Sequence, residues 1–139
     1  MNTTTIKQTV FISASPTEVY KAFVDPKMHS AFTGSKAIGK PKVGGKFTAW
    51  DGYITTKYKV MVYGKQITQE WKTSEWPEGY DPSELSLTFT PKANGTEITM
   101  MHAKVPEEQA EDYRMGWTEH YWEPLKKYFK EHHKFFKKK

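Results

Sequence analysis

The chain has 139 residues and no cysteine, which excludes a disulfide framework, a thiol nucleophile and a thiolate metal site; its length suits one domain burying roughly two thirds of the surface exposed when unfolded. Its net charge of +5 is local: residues 126–139 hold seven lysines against Glu131, and the other 125 residues sum to −1. That segment has no arginine, the residue type most used for bidentate phosphate and guanine contacts, so it reads as a solvated helix end suited to the macrodipole and not as a nucleic-acid surface.

In chain order, residues 6–12 alternate, with Ile6, Gln8, Val10 and Ile12 on one face, and predict a first strand. Ser15-Pro16-Thr17-Glu18 combines a capping box with proline at the first helical position, so a helix begins there, buries Val19, Ala22 and Phe23, and stops at Asp25-Pro26. A second short helix or turn is expected over about 27–32, before Thr33-Gly34. From Ala37 to Val105 the punctuation is that of an antiparallel meander. Strands are predicted over 46–50, 53–62, 66–73, 84–90 and 96–104, with hairpin signals at Asp51-Gly52, Gly64 and Asn94-Gly95 and a longer loop over 76–82.

Alternation assigns Phe47, Ile54, Tyr58, Ile67, Trp71, Leu85, Leu87, Phe89, Ile98 and Met100 to one apolar sheet face. After Val105, the spacing of Tyr113, Trp117, Tyr121, Leu125 and Tyr128 puts them on one side of a long helix, whose mostly aromatic face needs a large concave partner. Pro124 deletes the hydrogen bond to the carbonyl of His120 and predicts a kink. The class is therefore α+β: a curved antiparallel sheet of about six or seven strands wrapped around a long C-terminal helix, with two short helices after strand one. Residues 1–139 are expected to form one domain, with 130–139 a lysine-rich extension.

The lead-in Gly44-Gly45-Lys46-Phe47, then Asp51-Gly52, the run ending in Trp71, Trp76-Pro77-Glu78-Gly79, Leu85-Ser86-Leu87-Thr88-Phe89, and Gly116-Trp117 with Tyr121-Trp122 resemble, in that order, the C-terminal domain of the activators of the heat shock protein 90 ATPase. That family is part of the START-like, Bet v 1-like (SRPBCC) superfamily. The resemblance implies a helix-grip fold around an apolar cavity, in a superfamily that binds lipids, hormones and polyketides, and it implies a stress-response role with a heat shock protein 90-type chaperone as partner. Pro124 and the lysine-rich end depart from the family pattern. The eukaryotic co-chaperone has an additional N-terminal domain, for which 139 residues are expected to leave no room.

Signals for chemistry are sparse. The five histidines, His29, His102, His120, His132 and His133, have no metal-ligand spacing, and no HExxH, GxSxG, P-loop or dinucleotide fingerprint occurs, so neither a metal nor a cofactor is expected. His102 shares parity with Ile98 and Met100; it either points into a cavity, where it could bind a ligand or act as a base, or meets water or a backbone carbonyl near the strand end. The aromatic set either packs solid or lines a pocket. The candidate ligand-binding residues are Phe47, Tyr58, Trp71, Leu87, Met100, His102, Tyr113, Trp117 and Tyr121, with Trp76 and Tyr80 on the rim. Three functions follow: a module binding an apolar or amphipathic small molecule, a co-chaperone that acts through its surface, and, third, an enzyme using His102 as base. The start of the chain lacks the basic and apolar regions of a signal peptide, and no apolar run approaches a membrane span, so the cytoplasm is expected. Exposed strand edges and Phe135-Phe136 leave both a monomer and a homodimer open.

Overall fold

The computed structural model describes residues 2–132. Along the chain come β1 (Thr3–Ile12), α1 (Pro16–Val24), α2 (Pro26–Thr33), β2 (Ile38–Gly39), β3 (Lys46–Ala49), β4 (Ile54–Val62), β5 (Gln66–Thr73), β6 (Ser83–Lys92) and β7 (Gly95–Pro106). A 3-10 turn (Glu107–Gln109), α3 (Ala110–Trp117), a π turn (Thr118–Trp122) and α4 (Glu123–His132) complete it. The seven strands form one antiparallel sheet in the order β1-β7-β6-β5-β4-β3-β2. β1 pairs with the last strand, so α1 and α2 carry the chain from one sheet edge to the other before the meander returns.

Local chemistry explains that crossing. The Glu18 N–H donates to Ser15 Oγ at 3.2 Å and the Ser15 N–H to Glu18 Oε1 at 3.1 Å, which closes the capping box. Asp25 serves both helices: its N–H ends α1 on the Lys21 carbonyl, and its Oδ1 caps α2 by accepting from the Lys27 N–H at 2.8 Å. α1 buries Tyr20 and Val24 in addition to the expected Val19, Ala22 and Phe23.

All ten residues assigned to the inner sheet face are buried, as are Ile6, Val10 and Ile12 of β1. The strands run longer than alternation indicated, since β1 starts at Thr3 and β7 ends at Pro106. β2 has only two residues, too few for any alternation to register, and is held by pairing Ile38 with Thr48 and Gly39 with Phe47. A Cβ on Gly39 would lie 2.6 Å from the Phe47 Cα, so only glycine permits that approach.

The long helical segment runs without a break from Ala110 to His132, but it is not α-helical throughout. Just before Pro124, where a kink is expected, there is a π turn, in which the Glu123 N–H reaches back to the Thr118 carbonyl, and Pro124 follows as the second residue of α4. One extra residue in a turn rotates everything after it by about 100° about the helix axis. Tyr121 and Trp122 are both buried, together with Trp117, Leu125 and Phe129, while Tyr113 and Tyr128 at the ends of the expected stripe are only half-buried. Gln8 fixes this segment to β1: its Oε1 accepts from Trp122 Nε1 at 2.7 Å and its Nε2 donates to the Arg114 carbonyl at 3.1 Å. Among the described residues no helix is long and apolar enough to cross a membrane. His133 and Phe135-Phe136, with the rest of the expected extension from 133 on, lie outside the described residues.

Candidate functional site

His102 is fully buried, and its partners fix its protonation. An indole N–H can only donate, so Trp117 Nε1, 3.1 Å away, makes His102 Nδ1 an acceptor and leaves the proton on Nε2. Nε2–H then donates to Ser83 Oγ at 2.8 Å, and that hydroxyl donates to the Trp71 carbonyl at 2.6 Å. Helix α3 is thereby tied through β7 and β6 to β5. Burial lowers the His102 pKa to about 3, so the ring is neutral near pH 7. It meets neither water nor a backbone carbonyl, and both nitrogens are committed.

A second buried histidine, one to which sequence patterning assigns no role, does the same for Tyr121. His29 Nδ1 donates to the Phe23 carbonyl at 3.0 Å, so Nε2 accepts from the Tyr121 hydroxyl at 2.9 Å. Burial lowers its pKa to about 4 against the opposing pull of the Phe23 carbonyl, and burial likewise pushes the Tyr121 phenol upward. Position 29 had one sequence signal, its place three residues before Phe32 on the inner side of α2, where both are buried.

Between sheet and helix, the interior space holds only about 20 Å³. Phe47, Tyr58, Leu87, Trp71, Trp117 and Tyr121 surround it, and it has room for about one water molecule. Met100 and His102 are fully buried and line neither this space nor the larger one outside it.

That larger space is a cleft of about 480 Å³ between the helical segment and the near end of the sheet. Trp50 and Tyr53 of the β3–β4 turn, Ile54 and Trp71 form one wall; Asp112, Tyr113, Met115, Gly116, Trp117, Glu119, His120 and Tyr121 form the other. Of the residues expected to bind a ligand, it unites Trp71, Tyr113, Trp117 and Tyr121 and leaves out the rest. Trp76 joins it indirectly by stacking on Tyr113 at 6.0 Å, and its indole N–H donates to the Asp81 carbonyl at 3.0 Å. Tyr80 is turned to the chain start, donating to the Asn2 carbonyl at 3.4 Å.

Hydrogen bonds hold the cleft walls. The Tyr113 hydroxyl donates to Gln109 Oε1 at 2.8 Å and therefore accepts from Thr73 Oγ1 at 2.7 Å. Tyr53 donates to Glu75 Oε1 at 2.6 Å; burial first, and then that carboxylate, pushes its pKa up to about 12. Trp50 is different. With φ at 54° it sits in the left-handed region, unusual for a bulky residue, as does Asp51 at 56°. Its Nε1 is the one buried side-chain polar atom among the described residues without a hydrogen-bond partner; it lies near enough to the Tyr121 hydroxyl to offset part of the rise that burial imposes on that phenol. Sequence reading took Asp51-Gly52 as a turn signal and passed over the aromatic residues on either side, Trp50 and Tyr53, which supply a wall of the cleft. No group of His, Asp and Glu among the described residues could hold a metal.

Against known proteins, the family model described as "Activator of Hsp90 ATPase homolog 1-like protein" matches residues 13–130. The activators of 90 kDa heat shock protein ATPase homolog 1 of Mus musculus and Homo sapiens are each 34% identical over 125 residues, 90% of this chain. The match spans only 36% of the length of those relatives. A crystal structure of an HSP90 activator from Plasmodium falciparum superposes with a TM-score of 0.78 at 26% identity, covering 84% of this chain and 89% of that one. The fold is thus the helix-grip fold of the Bet v 1-like superfamily, and the chain belongs to the family of activator of Hsp90 ATPase homolog 1-like proteins.

Proposed function

We propose that this protein docks on an Hsp90-type chaperone and raises its ATP turnover. The observation that carries the reading is the 34% identity with the ATPase activators over nine tenths of the chain. The geometry supports a surface role: the interior is filled, with about 20 Å³ left, and the two buried histidines are spent on holding the helical segment to the sheet. Sedimentation of the labelled protein with a purified Hsp90-type chaperone, with and without nucleotide, tests docking. A complex is expected, and none at saturating chaperone overturns the reading.

The 480 Å³ cleft favours a second reading, an apolar or amphipathic small molecule bound beside the helix and not inside the sheet. Native mass spectrometry of protein purified gently from its own cells tests it. A discrete added mass that disappears in Tyr113→Ala supports the reading, and the bare mass counts against it.

A further inference from the structure

The −1 of residues 1–125 conceals a division. Residues 26–69 carry eight lysines against Asp51 alone, whereas residues 70–125 carry twelve carboxylates against Lys72, Lys92, Lys104 and Arg114. Nine of the twelve residues that line the cleft come from the acidic stretch. From the 3-10 turn to the start of α4 come Glu107, Glu108, Glu111, Asp112, Glu119 and Glu123, and the single cation among them, Arg114, is 3.4 Å from Glu111. Asp112 and Glu119 stand exposed on the cleft wall, outside every ion pair among the described residues, and neither lysine nor arginine lines the cleft. Behind these carboxylates lie the rings of Trp50, Trp71, Tyr113 and Trp117. Ring faces with carboxylates at the mouth attract an organic cation on an alkyl stem: the stem covers the rings, the charge meets the π faces, and the carboxylates complete its neutralisation.

We infer that the cleft receives a lysine or arginine side chain flanked by apolar residues, presented by a partner protein. The inference deepens the docking reading above, resting on it only in taking the occupant to be part of a protein. The charge complementarity selects this occupant: a carboxylate ligand would meet Asp112 and Glu119, and a neutral apolar ligand would leave them unused.

The test is an NMR titration that follows the five tryptophan indole N–H signals against blocked leucine-lysine-leucine and leucine-glutamate-leucine tripeptides. With the lysine peptide, the Trp50 signal is expected to shift to saturation; with the glutamate peptide it should stay. Asp112→Asn combined with Glu119→Gln, exposed changes that leave the fold intact as judged by the remaining signals, should weaken lysine-peptide binding about fivefold or more. Equal binding of both peptides, unchanged affinity in the double variant, or a response to decanol but not to the lysine peptide would each overturn the inference. Because no chaperone is present, failure here with the chaperone complex intact removes only the cleft assignment. Peptide binding without a chaperone complex removes only the docking reading.

Discussion

Replacing His102 by alanine removes the acceptor of the Trp117 indole and the donor to Ser83 in one step, in a place that water does not reach. A buried polar group left unpaired, with the lost packing, should cost about 2–4 kcal/mol, read as a lower urea midpoint at unchanged slope. The same histidines set a pH dependence whose sign is fixed. Both folded pKa values, about 4 for His29 and about 3 for His102, lie below the ordinary 6.5, so the unfolded chain binds protons more readily than the native one. Their contribution is complete above about pH 6.5 and is lost as pH falls through about 4 and then about 3. Urea unfolding at a series of pH values should show stability falling by several kcal/mol across that window, at about 1.4 kcal/mol per unit for each histidine. A flat profile there would show that these rings are protonated at little cost. The sequence marked His102 by its strand parity, yet its two partners come from positions 83 and 117, and no local pattern indicates a hydrogen bond across such separations.

At the scale of elements, what could be read from sequence was what local chemistry decides. The capping box, the Asp25-Pro26 break and the hairpin signals at Asp51-Gly52 and Asn94-Gly95 each act within four residues, and the structure uses each of them. Ser15→Ala should cost about 1 kcal/mol, the ordinary value of an N-cap. Gly95→Ala should cost more, about 2 kcal/mol or above, because its Cβ would lie 2.4 Å from the Ile12 carbonyl oxygen on the neighbouring strand. Urea denaturation of the two variants side by side checks the order, which reverses if β1 and β7 can separate freely at that end. Two elements leave no local signal in the sequence. β2 owes its extended form to β3, and the π turn over Thr118–Trp122, within which Tyr121 and Trp122 are both buried, follows from no local sequence pattern. The helical stripe counted at constant period holds for Trp117, Tyr121 and Leu125, which are buried, and weakens at its two ends, Tyr113 and Tyr128, which are half-buried.

At the scale of the molecule, the sheet and the helical segment enclose almost no free volume, and the aromatic residues divide between two tasks. Those expected to surround a ligand inside the fold mostly pack, whereas the open cleft takes seven of its twelve lining residues from positions that neither strand alternation nor helical spacing singles out, Trp50 and Tyr53 among them. Sequence could show how many rings there were; it could not show which side of the helix had room, because that depends on how closely the sheet curls and where the π turn falls. A filled scaffold with an aromatic, acid-rimmed surface suits a protein that acts by contact. Its most direct test is the steady-state ATP turnover of a purified Hsp90-type chaperone titrated with this protein and with its Trp76→Ala/Tyr80→Ala variant, both residues lying on the loop beside the cleft. Turnover should rise to a plateau with the unmodified protein and reach it at higher concentration with the variant; turnover that stays at its basal value at saturating protein would contradict the account.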